Sequence, residues 1–327
     1  MSFCFATISF FTKAGTKFPT GAGRQFVLGA RSAELPIPSP TTNVTAQQRS
    51  CGEPVAKLRV PTLGKHRAVK CAVLPCCRVP GYVPIVLDGN DPGTCRDGYV
   101  KRLLRDLDDP HKVVFEKFSK FVFLKVRELF PDKMEFLTFD EWIDSENYTL
   151  DHKEEFRVCY RELHGGRPTL SNWTRVLSFV KSESYPTFKH ARLINSRHDM
   201  FKVWSGPLFK SMEHMVYRNA HFIKNVPVNE RFAKILELKK DGKMYFETDF
   251  TAFESHFTTL LLANCECQLY SWLLRERPED AKFLVDVLVG KNRMSLRNGV
   301  RCTVFGRRMS GDMCTSLGNG FTNLMLA

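Results

Sequence analysis

The chain has 327 residues, 43% of them hydrophobic and 27 of them Phe, and its 48 Lys and Arg against 35 Asp and Glu give a net charge of +13. That is enough apolar material for one large or two modest domains, and the basic surplus favours a polyanionic partner such as nucleic acid or anionic lipid. Eleven scattered cysteines, an odd number, argue against a secreted disulfide scaffold, and no run reaches the ~18 apolar residues of a membrane span.

The opening MSFCFATISFF is apolar but short and lacks the basic leader of a signal peptide. Residues 1–95 are expected to form a basic, partly disordered region rich in Gly, Pro and Ser, with a Pro-laden stretch at Leu35–Pro40 and short strands near Val83–Leu87. Cys71, Cys76 and Cys77 have no second CxxC or His pair at zinc-finger spacing. The compact domain, 96–327, starts where the composition changes. Phe115, Phe118, Val122, Val126 and Leu129 recur at helical spacing until Pro131. Val176–Lys181 and Ala191–Ser196 suit two short strands around a polar loop. Asp199 is placed to cap a helix with Leu208, Met212, Met215 and Val216 on its apolar face. Lys243–Asp249 alternates as a strand, and Phe257, Leu261, Cys265, Leu269 and Trp272 step as a helix. Pro278 opens a further helix that Gly290 ends, and Asn298-Gly299 predicts a hairpin. The segment from Thr315 is helical.

Two places carry chemistry. An apolar strand runs into Asp249, and Glu254 follows five residues later at the start of a helix. A carboxylate held at a strand end offers the hard oxygen ligand that Mg²⁺ selects, though an ordinary strand-to-helix turn accounts for the same residues. Farther on, Ser310-Gly311 lets a ligand approach the backbone, and Thr315, Asn319 and Asn323 share one face of the following helix. Taken alone, that stripe equally suits a solvated helix face.

Together they form D-x4-[D/E] and, about 55 residues on, S-G-x3-T-S-x2-N-x3-N. This resembles motifs A and B of positive-strand viral RNA-dependent RNA polymerases, and SGDMCTSLGN is similar to the tombusvirus-like supergroup. Upstream, Phe179-Val-Lys-Ser-Glu-Ser184, Lys189 and Ala191-Arg-Leu-Ile194 resemble motif F. Lys181, Lys189 and Arg192 suit a cationic clamp for a nucleoside triphosphate, with Glu183 orienting a basic side chain.

The resemblance implies an α+β right-hand polymerase fold, with fingers and part of an antiparallel-stranded palm. It implies an RNA-directed RNA polymerase that uses nucleoside triphosphates with Mg²⁺ (or Mn²⁺). Asp249 takes the place of the catalytic metal ligand. Glu254, where the family usually has Asp, takes the place of the ribose sensor with Asn319 and Thr315. Ser310 and Gly311 take that of the loop handling template and nascent pair. Expected partners are viral RNA template and product, with other replication proteins and host membranes in the host cytoplasm. The chain contains no Gly-Asp-Asp, so motif C and the thumb are expected to be missing and the chain alone to be inactive. The alternative is a non-enzymatic RNA-binding remnant of a replicase.

Overall fold

The structure is a computed structural model that describes residues 56–61, 85–105, 111–168, 175–185, 187–237, 250 and 252–327. Strands β1 (Ala56–Arg59) and β2 (Ile85–Val86) precede helices α1 (Pro92–Arg102), α2 (Lys112–Leu129), α3 (Phe139–Ser145) and α4 (Leu150–Leu163). Next come β3 (Arg175–Val180), β4 (Ser184–Tyr185), β5 (Leu193–Arg197), α5 (Asp199–Val216) and α6 (Arg231–Leu236). A 3₁₀ turn at Phe253–His256 leads into α7 (Thr259–Asn264), α8 (Glu266–Leu273) and α9 (Pro278–Val289). The last elements are β6 (Lys291–Ser295), β7 (Arg301–Phe305) and α10 (Thr315–Leu326).

The fold is α+β. Its main sheet has the order β1-β7-β6-β3-β5 and is mixed, because β3 and β6 pair in parallel while the other neighbours are antiparallel. The antiparallel arrangement is expected of the palm strands, whereas this parallel ladder joins β3, read as part of the fingers, to β6. Several helices separate β3 from β6, and a crossover of that length is what allows a parallel pair. The strand expected at Lys243–Asp249 lies outside the described residues.

Strand alternation gives this sheet one buried face. Leu58, Cys302, Val304, Met294 and Val176 lie on it, and α1 covers it with Cys95, Tyr99 and Leu103. Strand β1 comes from the segment read as loosely structured, yet it pairs with β7 and buries Leu58. A second core joins α2, α5, α8, α9 and α10 through residues such as Val122, Phe209, Leu269, Leu284 and Phe321.

Turn and cap chemistry fixes most boundaries. Helix α2 ends at Leu129, before Pro131, and α9 has Pro at its first position and Gly290 at its C-cap. Gly299 has φ +86, which the tight hairpin turn requires and a side chain would resist. Two expectations need correction. Asp199 is not the cap of α5: His198 is, with its ring nitrogen accepting from the Met200 N–H at 3.3 Å, while Asp199 sits in the first turn, where the helix dipole favours an acid. The helix expected from Phe257 to Trp272 is two helices, because Thr258 caps α7 and Cys265 (φ -120, ψ -91) breaks the chain before α8.

Helices α3 and α5 meet at Gly206, where the fully buried Trp142 ring occupies the space a Cβ would need. Gly206→Ala is expected to destabilise the protein by about 1–3 kcal/mol through overpacking. A fall of several degrees in the thermal midpoint would be the sign; an unchanged midpoint would mean the ring can move aside.

Candidate nucleotide-binding site

Strands β3 and β5 pair with Val180 opposite Leu193, and the Lys181 N–H continues the ladder by donating to the Arg192 carbonyl at 2.8 Å. Lys181 and Arg192 thus leave the same end of the sheet. Between them lies Glu183, 2.5 Å from Lys181 Nζ and 3.1 Å from Arg192 Nη1. The Tyr185 hydroxyl donates to its other oxygen at 2.5 Å, and Lys189 Nζ lies 5.8 Å from the Tyr185 ring centre. Burial opposes ionisation of Glu183, but its bonds to Lys181 and Tyr185 and the charge of Arg192 hold the carboxyl below its ordinary range. Burial, reinforced by Glu183, pushes the Tyr185 hydroxyl up to about 12. Two cations on one ionised carboxylate, with Lys189 beside the Tyr185 ring, leave a surplus of positive charge on partly exposed side chains. A polyphosphate can use that surplus.

The Ser310-Gly311 loop is bound to the open edge of the same pair. Ser310 Oγ donates to the Leu193 carbonyl at 2.7 Å and accepts from the Asn195 N–H at 3.3 Å. The Gly311 N–H donates to the Asn195 carbonyl at 3.0 Å. A Cβ on Gly311 would lie 2.8 Å from Ile194 Cγ2 and 3.0 Å from the Asn195 oxygen. This glycine therefore serves the approach of strand β5, where the sequence suggested the approach of a ligand. Below it, Arg197 Nε bonds Asp312 Oδ2 at 2.6 Å, with both side chains almost fully buried. Lys181, Lys189, Arg192, Ser310 and Gly311 thus fall in one neighbourhood.

The expected ribose-sensing residues divide. The Thr315 hydroxyl is committed to the Met309 carbonyl at 2.7 Å, so it shapes the loop and is not a free donor. Asn319, one turn on, has a buried Oδ1 with no partner among the described residues. An orphaned acceptor of this kind is costly unless something else completes it. Glu254, in the 3₁₀ turn, makes an ion pair with Arg102 at the end of α1. The charge of Arg102 is also felt at the Tyr185 hydroxyl, so the Arg102–Glu254 pair lies within electrostatic reach of the cationic cluster. Sequence reasoning missed Arg102; its one signal was a basic last turn of α1, which the helix dipole favours.

Arg307 fixes the Glu254 turn from behind, donating to the Phe257 carbonyl at 3.0 Å and to the Arg105 carbonyl at 3.0 Å. Asp249, the expected metal ligand, lies outside the described residues. Among the described residues no three His, Cys, Asp or Glu side chains converge, and the Glu254 carboxylate is engaged by Arg102. These residues do not by themselves compose a Mg²⁺ or Mn²⁺ site, so the metal expectation rests on Asp249. Comparison of the chain with protein-family models and with curated proteins gave no match.

Proposed function

We propose that this chain belongs to an RNA-directed RNA polymerase and carries its nucleoside-triphosphate and ribose contacts. In the reaction a 3′-hydroxyl attacks the α-phosphate of the incoming nucleotide, a P–O bond forms, and pyrophosphate leaves with the electron pair. Lys181, Lys189 and Arg192 would offset the triphosphate charge and the charge that grows on pyrophosphate. Glu183 and Tyr185 hold the Lys181 and Arg192 side chains in place. The Oδ1 of Asn319, without a partner among the described residues, suits acceptance from a ribose 2′-hydroxyl, and Glu254 is the second candidate for that contact. Viral RNA template and product, accessory replication proteins and a host-cytoplasmic setting with host membranes belong to the same reading. No helix among the described residues is long and apolar enough to cross a membrane.

One observation carries the reading: the basic strand pair and the Ser-Gly loop bond directly, though Leu193 and Ser310 are 117 residues apart in sequence. Two motifs with one chemistry would have no reason to meet if each were only a solvated surface feature. Titration of the purified chain with fluorescent ATP tests the proposal. Lys181→Ala with Arg192→Ala is expected to weaken ATP at least about tenfold, as loss of charged hydrogen bonds should. Asn319→Ala is expected to narrow the preference for ATP over 2′-deoxy-ATP. ATP binding that ignores the double variant would sink the proposal.

A further inference from the structure

Among the described residues the face of the main sheet opposite α1 carries exposed side chains, and its chemistry is one-sided. Side chains alternate along each strand, so the register assigns Lys57 and Arg59 on β1, Arg301 on β7, Lys291 and Arg293 on β6 and Arg175 on β3 to this one face. All six are exposed. The strands place no Asp or Glu on that face, and among the described residues no carboxylate pairs with any of the six.

The arrangement is unfavourable without a partner. Arg59 lies directly opposite Arg301, and Arg175 directly opposite Arg293. Like charges in such cross-strand positions destabilise a sheet. Beside them on β3, Leu177 is 60% exposed and Phe179 54% exposed, whereas their neighbours Val176 and Ser178 are buried. Lys291 Nζ lies 5.8 Å from the Phe305 ring centre on the same face. Cations therefore extend over four adjacent strands, a plate about 14 Å across at the usual strand spacing, with apolar and aromatic side chains among them.

We propose that this sheet face is a second polyanion site and that its ligand is single-stranded RNA. The cations would neutralise phosphates, and Phe179 would stack on an unpaired base. A flat plate with exposed rings suits splayed bases, which a duplex keeps stacked inside. By the same register Lys181 and Arg192 continue this face just beyond Phe179, so the plate adjoins the cationic cluster at the sheet's end, and the proposal does not depend on the polymerase reading.

Fluorescence anisotropy with labelled oligouridylate and the full chain tests it across a salt series. The triple variant Arg175→Ala, Arg293→Ala, Arg301→Ala is expected to weaken binding at least about tenfold at low salt. It should also reduce the log–log salt slope by about two, at roughly 0.7 for each phosphate that is no longer neutralised. Phe179→Ala should weaken binding at least about fivefold at every salt concentration. Because all four side chains are exposed, thermal unfolding should be unchanged or improved. Oligouridylate binding at wild-type strength in the triple variant would overturn the proposal. So would a triple variant that loses phosphatidylserine vesicles or polyglutamate but keeps oligouridylate, or a duplex RNA that competes as well as the single strand. Loss of ATP binding in the Lys181 and Arg192 variant, with oligouridylate binding intact, would support two separate sites.

Discussion

Arg308→Met is expected to destabilise the protein by about 3–5 kcal/mol, because it leaves a carboxylate charged and alone in the core. Arg308 and Glu266 form an ion pair with 1% and 0% side-chain exposure. The pair has few other supports. The Tyr270 hydroxyl donates to Glu266 at 3.3 Å, Arg308 Nη1 meets Cys314 Sγ at 3.2 Å, and the guanidinium lies 4.4 Å from the Phe257 ring centre. Glu266 Oε1 and Arg308 Nε have no partner among the described residues. Methionine replaces the stem of Arg308 but none of its charge. Urea unfolding would read the loss as a lower midpoint with an unchanged slope.

The sign of the pH dependence follows from Glu266. Burial pushes its carboxyl up while Arg308 pulls it down. In the variant the pull is gone, so the folded-state pKa lies above the unfolded one. The folded state then holds a proton that the unfolded state releases, and stability falls as pH rises between the two values. Arg308→Met should accordingly be least damaged near pH 4–5, about the ordinary glutamate value, and most damaged above neutrality. Adding Glu266→Leu should recover much of the loss, since a buried pair replaced by apolar side chains is often neutral. A double variant no better than the single one would mean that packing, and not charge, carries the effect.

This pair also marks where the sequence stops being legible. Arg307 and Arg308 are both buried and spent on internal contacts, and nothing in their sequence neighbourhood says so. Gly318, inside the loop-and-helix motif, lies so close to the pair that a Cβ would sit 2.6 Å from Arg308 Nη2 and 2.8 Å from Tyr270 Oη. Nothing local in SLGN announces that approach. Features written in turn chemistry were readable: Pro278 and Gly290 bounding a helix, Asn298-Gly299 turning a hairpin, the paired strands before and after the Lys181 loop. Features that depend on distant partners were not. The parallel β3–β6 ladder, β1 on the edge of β7 and the Arg102–Glu254 pair each join residues that no spacing relates. The basic sheet face was hidden for the same reason, since its cations come from four strands.

Gly311→Ala is expected to damage both stability and nucleotide binding, and the two losses should travel together. The added methyl would be 2.8 Å from Ile194 Cγ2 and 3.0 Å from a backbone oxygen, neither of which is the end of a flexible side chain. The loop must lift from β5. Lifting stretches the Gly311 N–H bond to Asn195 and the Ser310 bond to Leu193, and it strains the buried Arg197–Asp312 pair. Overpacking of this kind costs about 1–3 kcal/mol. Arg192 precedes Leu193 by one residue, so a displaced β5 end moves the guanidinium away from Glu183 and Lys181. ATP affinity should drop about tenfold, within the effect of a lost charged hydrogen bond. Ser310→Ala removes the bonds to β5 without crowding it, so it should weaken ATP less than Gly311→Ala does. If Gly311→Ala lowered the melting temperature but left ATP affinity intact, the loop and the cationic cluster would be neighbours without being coupled. The proposed nucleotide site would then have to stand on Lys181, Lys189 and Arg192 alone.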